Sequence, residues 1–463
     1  MTSDLVVLGG GPAGYSCALR AADLGLSVTL VEADKVGDTC LHRGCVPTRA
    51  MLHAASLAHD AGAPAARWGI RATIDDIDVA QLLATRDDVV ARNHKAVQGH
   101  LGAARVSVVE GYGTFVGRRT VVVGDERIEA TRAVVLATGS APRVLPDLPR
   151  DGIRVLTSDD AFALDRVPAS ALVLGGGAIG AEFSQIWNAL GSDVTIVEIE
   201  DRLVPMEDAD VGHELARALK RRGITVHVGT RLIDADARDD AIEVTLDTPS
   251  GLTKVSAEVL LLAIGRDPAS RDLGYHRAGV ETERGFVVPR DWSTLETHSQ
   301  GIYAVGDLVP PPSHARAHVA YAEGMLVAER IAGETGRRGI DYTGVPRVTH
   351  GLTETACVGL SEDEARAVAG DVDTMKMPVT GVAKGLMVGD MGMAKVVAAR
   401  DGNVLGIHLV GPSVTELIGE ASAITNFEAS PLDVAELVHA HPTLSETVAE
   451  LSMALAGRPL HRR

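Results

Sequence analysis

At 463 residues the chain has room for roughly two to four domains of ordinary size. A formal net charge of −18 opposes nonspecific attachment to nucleic acid or anionic lipid, and no apolar run is long enough to span a bilayer. Four cysteines in so long a chain do not make a secreted disulfide scaffold, and the apolar start argues against a leader, so a cytoplasmic protein without nucleic-acid or membrane partners is expected.

Leu5-Val-Val-Leu8 reads as a buried parallel strand. It runs into Gly9-Gly-Gly11-Pro-Ala-Gly14, an alanine-rich helix, and a second strand around Ser27 to Glu32. Gly9 permits a sharp turn, Gly11 leaves room for a pyrophosphate, and Gly14 allows close contact between helix and strand. The phosphates would face backbone N–H groups and the positive end of the helix. Glu32, at a strand end, can accept hydrogen bonds from ribose hydroxyls. Glycines so placed also serve tight packing with no ligand, and that remains the alternative for a single copy.

Next comes Cys40-Leu-His-Arg-Gly-Cys45. In a straight helix the two Cα atoms would rise about 7.5 Å apart with diverging side chains, too far for a relaxed disulfide. The segment must therefore bend. Gly37 and Gly44 supply the freedom, and Pro47 suits the first turn of a helix beginning just afterwards. Cys45 would then lie beside the positive helix end, where thiolate is favoured. A redox-active pair is expected; metal ligation with His42, or two inert buried thiols, are the alternatives. Cys17 and Cys357 lack comparable neighbours and are expected as core or surface residues.

The first pattern then returns. Ala171-Leu-Val-Leu174 leads into Gly175-Gly-Gly177-Ala-Ile-Gly180, and Ser192 to Glu198 forms the following strand, with Glu198 in the place of Glu32. Two shorter stretches look like returns to the first module. Val134-Val-Leu-Ala-Thr138-Gly139 is an apolar strand opening into a small-residue turn, and Gly301-Ile-Tyr-Ala-Val-Gly306-Asp307 ends in a carboxylate. A turn followed by an acid suits the polyol and phosphate part of a flavin dinucleotide; an ordinary helix N-cap is the other reading of Asp307.

After Tyr342 the texture changes. Ala394–Ala398, the turn Asp401-Gly402 and Val404–Val410 read as a hairpin, followed by helices near Ser413–Phe427 and Pro431–Val438. Near the end stands His439-Ala-His441-Pro-Thr-Leu-Ser-Glu446. Glu446 can fix one imidazole nitrogen of His441 while the other accepts a proton from a dithiol. His439 is the rival base, and a surface histidine before a helix cap is the plain alternative. Spacing does not decide whether His441 meets Cys40 in cis or across a dimer.

The sequence resembles the flavoprotein pyridine nucleotide–disulfide reductases, and among them the dihydrolipoamide dehydrogenases, along essentially its whole length. The most specific stretches are Gly37-Asp-Thr-Cys40-Leu-His-Arg-Gly-Cys45-Val-Pro-Thr48 and His441-Pro-Thr-Leu-Ser-Glu446, supported by Ala137-Thr-Gly139, Gly175–Glu182 and Gly306-Asp307. The resemblance implies an α/β fold: two Rossmann-like dinucleotide-binding domains plus a C-terminal α+β dimerisation domain. Residues 1–145 would begin the FAD domain, 146–269 would bind NAD, 270–341 would complete the FAD site, and 342–463 would form the interface. It also implies a homodimer that reoxidises dihydrolipoyl groups on an acyltransferase or a glycine-cleavage carrier protein.

By the same resemblance, Cys40 is the interchange thiol and Cys45 the thiol facing the flavin. His441 is the acid/base, donated by the neighbouring subunit, and Glu446 orients it. FAD would contact Gly9, Gly11, Gly14, Glu32 and Asp307, and NAD would contact Gly175, Gly177, Gly180 and Glu198, with Glu182 near the flavin–nicotinamide junction. Arg49, Thr138, Gly139, Gly265 and Gly306 complete the cofactor-binding set, and no metal is expected. The chain departs from the family where Arg49 replaces a usual Lys, Asp38 a common glycine, and His42-Arg43 an Asn-Val pair. Arginine keeps the charge but spreads it over a planar fork. Asp38 opposes thiolate formation, whereas Arg43 assists it if it points inward. Such changes would also suit a different low-molecular-weight disulfide, and a flavin-binding protein without disulfide turnover is the remaining alternative.

Overall fold

The run Leu5–Leu8 shows no polar alternation, which suits a strand buried on both faces. It becomes part of β1 (Thr2–Leu8), whose Leu5, Val6 and Val7 are fully buried in the computed structural model. The helix α1 (Pro12–Asp23) crosses over to β2 (Val28–Glu32), which pairs with β1 in parallel. Beyond them lie β3 (Ser107–Glu110), β4 (Gly113–Gly117), β5 (Thr120–Val123) and β6 (Glu126–Leu136). Their order is β3-β2-β1-β6-β5-β4, parallel from β3 to β6 and antiparallel beyond. The distant strand Ile302–Ala304 returns to pair with the end of β6 in parallel. The helix Ala317–Ala332 packs on α1 so closely at Gly324 that any side chain there would collide with Ala13 O and Ser16 Oγ.

The structure describes residues 1–313, 315–336, 339–389 and 391–461, and they divide into two compact units. The sheet above belongs to the first, made of residues 1–50, 83–143 and 266–342; the second holds residues 51–82, 144–265 and 343–463. In the second unit Thr225–His227, Asp193–Val197, Ser170–Leu174, Val259–Leu262 and Val155–Leu156 form a parallel sheet in that order. On one face its core is filled by Phe162, Phe183 and Trp187 against Val173 and Ile196.

The same unit carries a five-stranded antiparallel sheet. Its order is Arg347–Thr349, Glu354–Gly359, Val404–Gly411, Met393–Ala399 and Val372–Pro378. The helices Val414–Asn426 and Glu446–Leu455 cover it, so the expected hairpin is the heart of an α+β layer. The helix expected over 431–438 stops at Ala435, leaving Leu437 and Val438 exposed. Among the described residues no helix is long and apolar enough to cross a membrane.

Candidate functional site

Both glycine turns are shaped by backbone that side chains would block. Gly9 has φ +100° and Gly175 +109°, and a Cβ on either would strike a carbonyl, Ala137 O or Ala263 O respectively. A Cβ on Gly14 would collide with Gly9 O, and one on Gly180 with Gly175 O. At the third position the space is open: nothing lies within 4 Å of a Cβ on Gly177, and only Asp38 approaches Gly11, at 3.7 Å. That is where a pyrophosphate needs to meet bare backbone, and both turns lead into a twelve-residue helix whose N-cap is the open glycine. The residues present therefore fit a dinucleotide at each turn.

The two acids brace these turns as well. Glu32 accepts from the N–H of Gly10 at 2.5 Å and of Asp34 at 2.8 Å; Glu198 accepts from Gly176 at 2.6 Å and Glu200 at 2.8 Å. Both carboxylates are buried. Burial pushes Glu32 above the ordinary carboxylate range despite those hydrogen bonds. Beside Glu32 lies a cavity of about 280 Å³ lined in part by Lys35, Val36, His94, Gln98 and Val106. His94 and Gln98 come from the long helix Val79–Ala103, and no motif pointed to them.

The thiols sit at a broken helix. Gly37, at φ +99°, opens the short α2 (Asp38–His42), and α3 (Cys45–Asp60) starts afresh after Gly44. The second helix begins two residues before Pro47 rather than after it. Pro47 still falls inside the first turn, where a missing N–H costs no intrahelical bond. Cys40 and Cys45 are not joined by a disulfide and lie within hydrogen-bonding contact of one another. The bond to Cys45, then burial, then the charge of Cys45 hold the Cys40 thiol far above its ordinary range, and Asp307 adds to this. Cys45 stands at the start of the second helix. Arg43 turns to Asp38 at 2.6 Å and to Asp34 at 3.4 Å, so the two unusual charges beside the thiols largely cancel. His42 bonds Val36 O at 3.1 Å and packs edge-on against His94. Cys17 and Cys357 are buried in cores, and burial pushes Cys17 up to about 12.

Asp307 does not cap a helix. It lies inside the short turn Gly306–Leu308 without a capping bond, and its Oδ2 accepts from Ser140 Oγ at 2.6 Å. Ser140 is in turn gripped by Arg266, whose Nε donates to its hydroxyl and Nη2 to its carbonyl, both at 2.7 Å. Neither Ser140 nor Arg266 was signalled by a motif. Gly306, at φ +71°, donates its N–H to Glu323 at 2.6 Å, and burial pushes that carboxyl up to about 7. Gly139 and Gly265 also have positive φ, and Thr138 donates to Ala269 O at 2.6 Å. Arg49 follows Cys45 by one turn of α3.

In the second unit His441 Nδ1 meets Glu446 Oε1 at 2.7 Å, while the N–H of Thr443 holds the other carboxylate oxygen at 2.8 Å. Burial raises Glu446, but these two bonds outweigh it and leave the carboxyl below its ordinary range. His441 is 71% exposed, whereas the rival His439 is largely buried and committed to Glu420 at 2.6 Å. His461 forms a further pair with Glu450, one helical turn beyond Glu446. Glu182 accepts from the backbone of His350 at 3.0 Å. Cys40, Cys45, Arg49 and Asp307 thus belong to the first unit, and Glu182, Glu198, His441 and Glu446 to the second.

Glu198 should repel the added phosphate of NADP, and Arg202 is tied to Asp201 at 2.9 Å and Pro205 O at 3.1 Å. Replacing Glu198 with alanine is therefore expected to raise the KM for NAD about tenfold or more and to narrow its advantage over NADP, as read from steady-state turnover with each nucleotide. A wild-type preference for NADP would contradict this.

Residues 3–324 match the pyridine nucleotide-disulphide oxidoreductase family, and residues 345–452 its dimerisation domain. The chain is 35% identical to dihydrolipoyl dehydrogenase of Bacillus subtilis (strain 168) and 37% identical to that of Thermus scotoductus, covering 99% of each and of itself. Among solved structures, LpdA from Mycobacterium tuberculosis is similar with a TM-score of 0.88 at 27% identity, over 97% of this chain and 99% of that one. The family's dinucleotide domains bind FAD and NAD(H), as the two glycine turns with their buried acids allow. The chain belongs to the flavoprotein pyridine nucleotide–disulphide oxidoreductases.

Proposed function

We propose that the protein oxidises protein-bound dihydrolipoamide to lipoamide through a Cys40–Cys45 redox disulfide, with FAD and NAD⁺ taking the electron pair to give NADH. The observation that carries this is the thiol pair itself: two cysteines in hydrogen-bonding contact across a helix break, with Cys45 at a helix start. Full-length similarity to two dihydrolipoyl dehydrogenases supports the substrate. In the oxidised protein, one substrate thiolate attacks Cys40 Sγ; the Cys40–Cys45 bond breaks and Cys45 leaves as thiolate. The second substrate sulfur then displaces Cys40, closing the lipoyl disulfide and leaving the protein with both electrons as a dithiol. His441, oriented by Glu446, takes the protons released by the substrate thiols. When bound, the flavin and pyridine nucleotide supply a two-electron route from that dithiol to NAD⁺. Gly9, Gly11, Gly14, Glu32 and Asp307 would hold the flavin dinucleotide, with Arg49, Thr138, Gly139 and Gly306 nearby. Gly175, Gly177, Gly180, Glu198 and Gly265 would hold NAD, with Glu182 towards the nicotinamide.

The working form is a cytoplasmic homodimer, and its partner a lipoyl-bearing acyltransferase or glycine-cleavage carrier protein. Exposed Phe427, Leu437 and Val438 on the dimerisation domain suit a covered face. The cancelling Arg43–Asp38 pair supports an ordinary thiol environment over one altered for another disulfide. Turnover measured side by side with dihydrolipoamide and NAD⁺, glutathione disulfide, mycothione and mercuric ion should give the highest kcat/KM for dihydrolipoamide. A higher value with any of the others overturns the substrate. Retained flavin with no turnover at all favours a binding protein instead.

A further inference from the structure

The five-stranded sheet of the second unit carries residues set directly opposite one another from edge to edge. Register pairs Arg347 with Cys357, Cys357 with His408, His408 with Lys395 and Lys395 with Lys376. Directly opposed residues share a face. Three cations, a thiol and an imidazole therefore stand in line across the sheet, on the side where the helix Ala209–Arg221 packs.

The start of that helix answers with carboxylates. Arg347 Nε donates to Glu207 at 2.9 Å, and Lys395 Nζ to both oxygens of Asp208 and to Asp210 at 2.9 Å, with Glu362 at 2.8 Å. Lys376 reaches the other oxygen of Asp210 at 2.8 Å. Arg347, Lys395, Glu207 and Asp208 are all buried. His408 is fully buried, its Nε2 bonded to Leu360 O at 2.9 Å. Burial lowers its proton affinity against the opposing pull of Asp208, so it adds no fourth cation. Buried ion pairs seldom repay their desolvation as stability, and in some proteins they fix geometry instead.

Glu207 and Asp208 close the segment that runs from Glu198 to the helix. Leu203 and Val204 are buried, and Val204 donates its N–H to Gly176 O at 2.9 Å. A Cβ on Gly176 would come 2.5 Å from Leu203. Val204 has φ +42°, a strained value for a β-branched residue that persists only where its surroundings over-determine it. Gly176 is the middle glycine of the second turn, and its N–H is held by Glu198. The segment is thus tied to the nucleotide turn at one end and to the charged row at the other.

We propose that Arg347, Lys395 and Lys376 are positioning residues for the pyridine nucleotide: through Glu207, Asp208 and Asp210 they hold residues 199–208 in the strained path that keeps Gly176 and Glu198 shaped for it. This rests on the second glycine turn being the NAD site and is independent of which disulfide is turned over. The test is anaerobic reduction of the flavin-loaded protein by NADH alone, with no disulfide substrate, giving an apparent Kd and a limiting rate. Glu207→Gln, Arg347→Met and Lys395→Met should each raise the apparent Kd about tenfold while the limiting rate stays within about twofold. Arg347→Lys should recover part of the loss, and Arg400→Met, which breaks exposed ion pairs with Asp371 and Asp373 at the end of the same sheet, should change neither. If Lys395→Met does not fold, the isosteric Glu207→Gln decides. A flavin-loaded Glu207→Gln protein with wild-type NADH affinity overturns the proposal, and so does a lowered melting temperature with affinity unchanged.

Discussion

Replacing Cys40 with serine is expected to lower dihydrolipoamide oxidation on the order of 10³-fold or more, while flavin binding stays intact. On the proposed mechanism a substrate sulfur attacks Cys40, and a serine oxygen there forms no disulfide. Cys45 would survive in the variant at the start of α3, where the helix end favours its thiolate. The long-wavelength band from a thiolate beside oxidised flavin should therefore persist in Cys40→Ser and vanish in Cys45→Ser. Nonreducing mass spectrometry of the wild type after oxidation should show Cys40 joined to Cys45. A folded, colourless protein whose two thiols stay unpaired after oxidation would refute this assignment, and Cys17 and Cys357, both buried, give no substitute pair.

Losing His441 should be nearly as severe, and for a different reason. A positioned general base contributes about 10²- to 10⁴-fold, so His441→Gln should lose kcat in that range with flavin content unchanged. Glu446 orients the ring through Nδ1 at 2.7 Å, and Glu446→Gln, which can still hydrogen-bond, should cost about 10- to 100-fold. His439→Gln should cost far less, because that imidazole is committed to Glu420 and largely buried. The shared-site form of this prediction uses complementation: Cys40→Ser and His441→Gln subunits, each inactive alone, are mixed and allowed to exchange. Heterodimers would then regain one site with an intact thiol pair and an intact base. Verified heterodimers without recovered turnover, or a fully active monomer, would place the base in cis.

Local chemistry was written plainly in the chain. Gly9, Gly14, Gly175 and Gly180 are glycines because a Cβ would strike a carbonyl, and that exclusion is visible as spacing before any coordinate is known. The apolar runs of β1 and Ser170–Leu174 announced parallel strands for the same reason, since both faces of each are covered. The bend between Cys40 and Cys45 followed from the reach of a disulfide and from Gly37 and Gly44. Likewise the His441–Glu446 pair lies within one short segment, so its contact needed only a tight turn.

What stayed hidden depended on side-chain pairings that spacing does not fix, several of them between residues far apart in sequence. Whether Arg43 would face the thiols was settled by its pairing with Asp38 and Asp34, and the choice between His439 and His441 by Glu420, nineteen residues before His439. Asp307 is held by Ser140 across 167 positions, and the charged row joins Arg347, His408 and Lys395 only through strand register. Sequence alone determined the glycines of the two turns and the bend between Cys40 and Cys45, because steric exclusion and short covalent reach act within a few residues. Only the tertiary structure decided which charges neutralise one another and which side chains stay available for chemistry, because those pairings depend on sheet register and helix packing that no local pattern encodes.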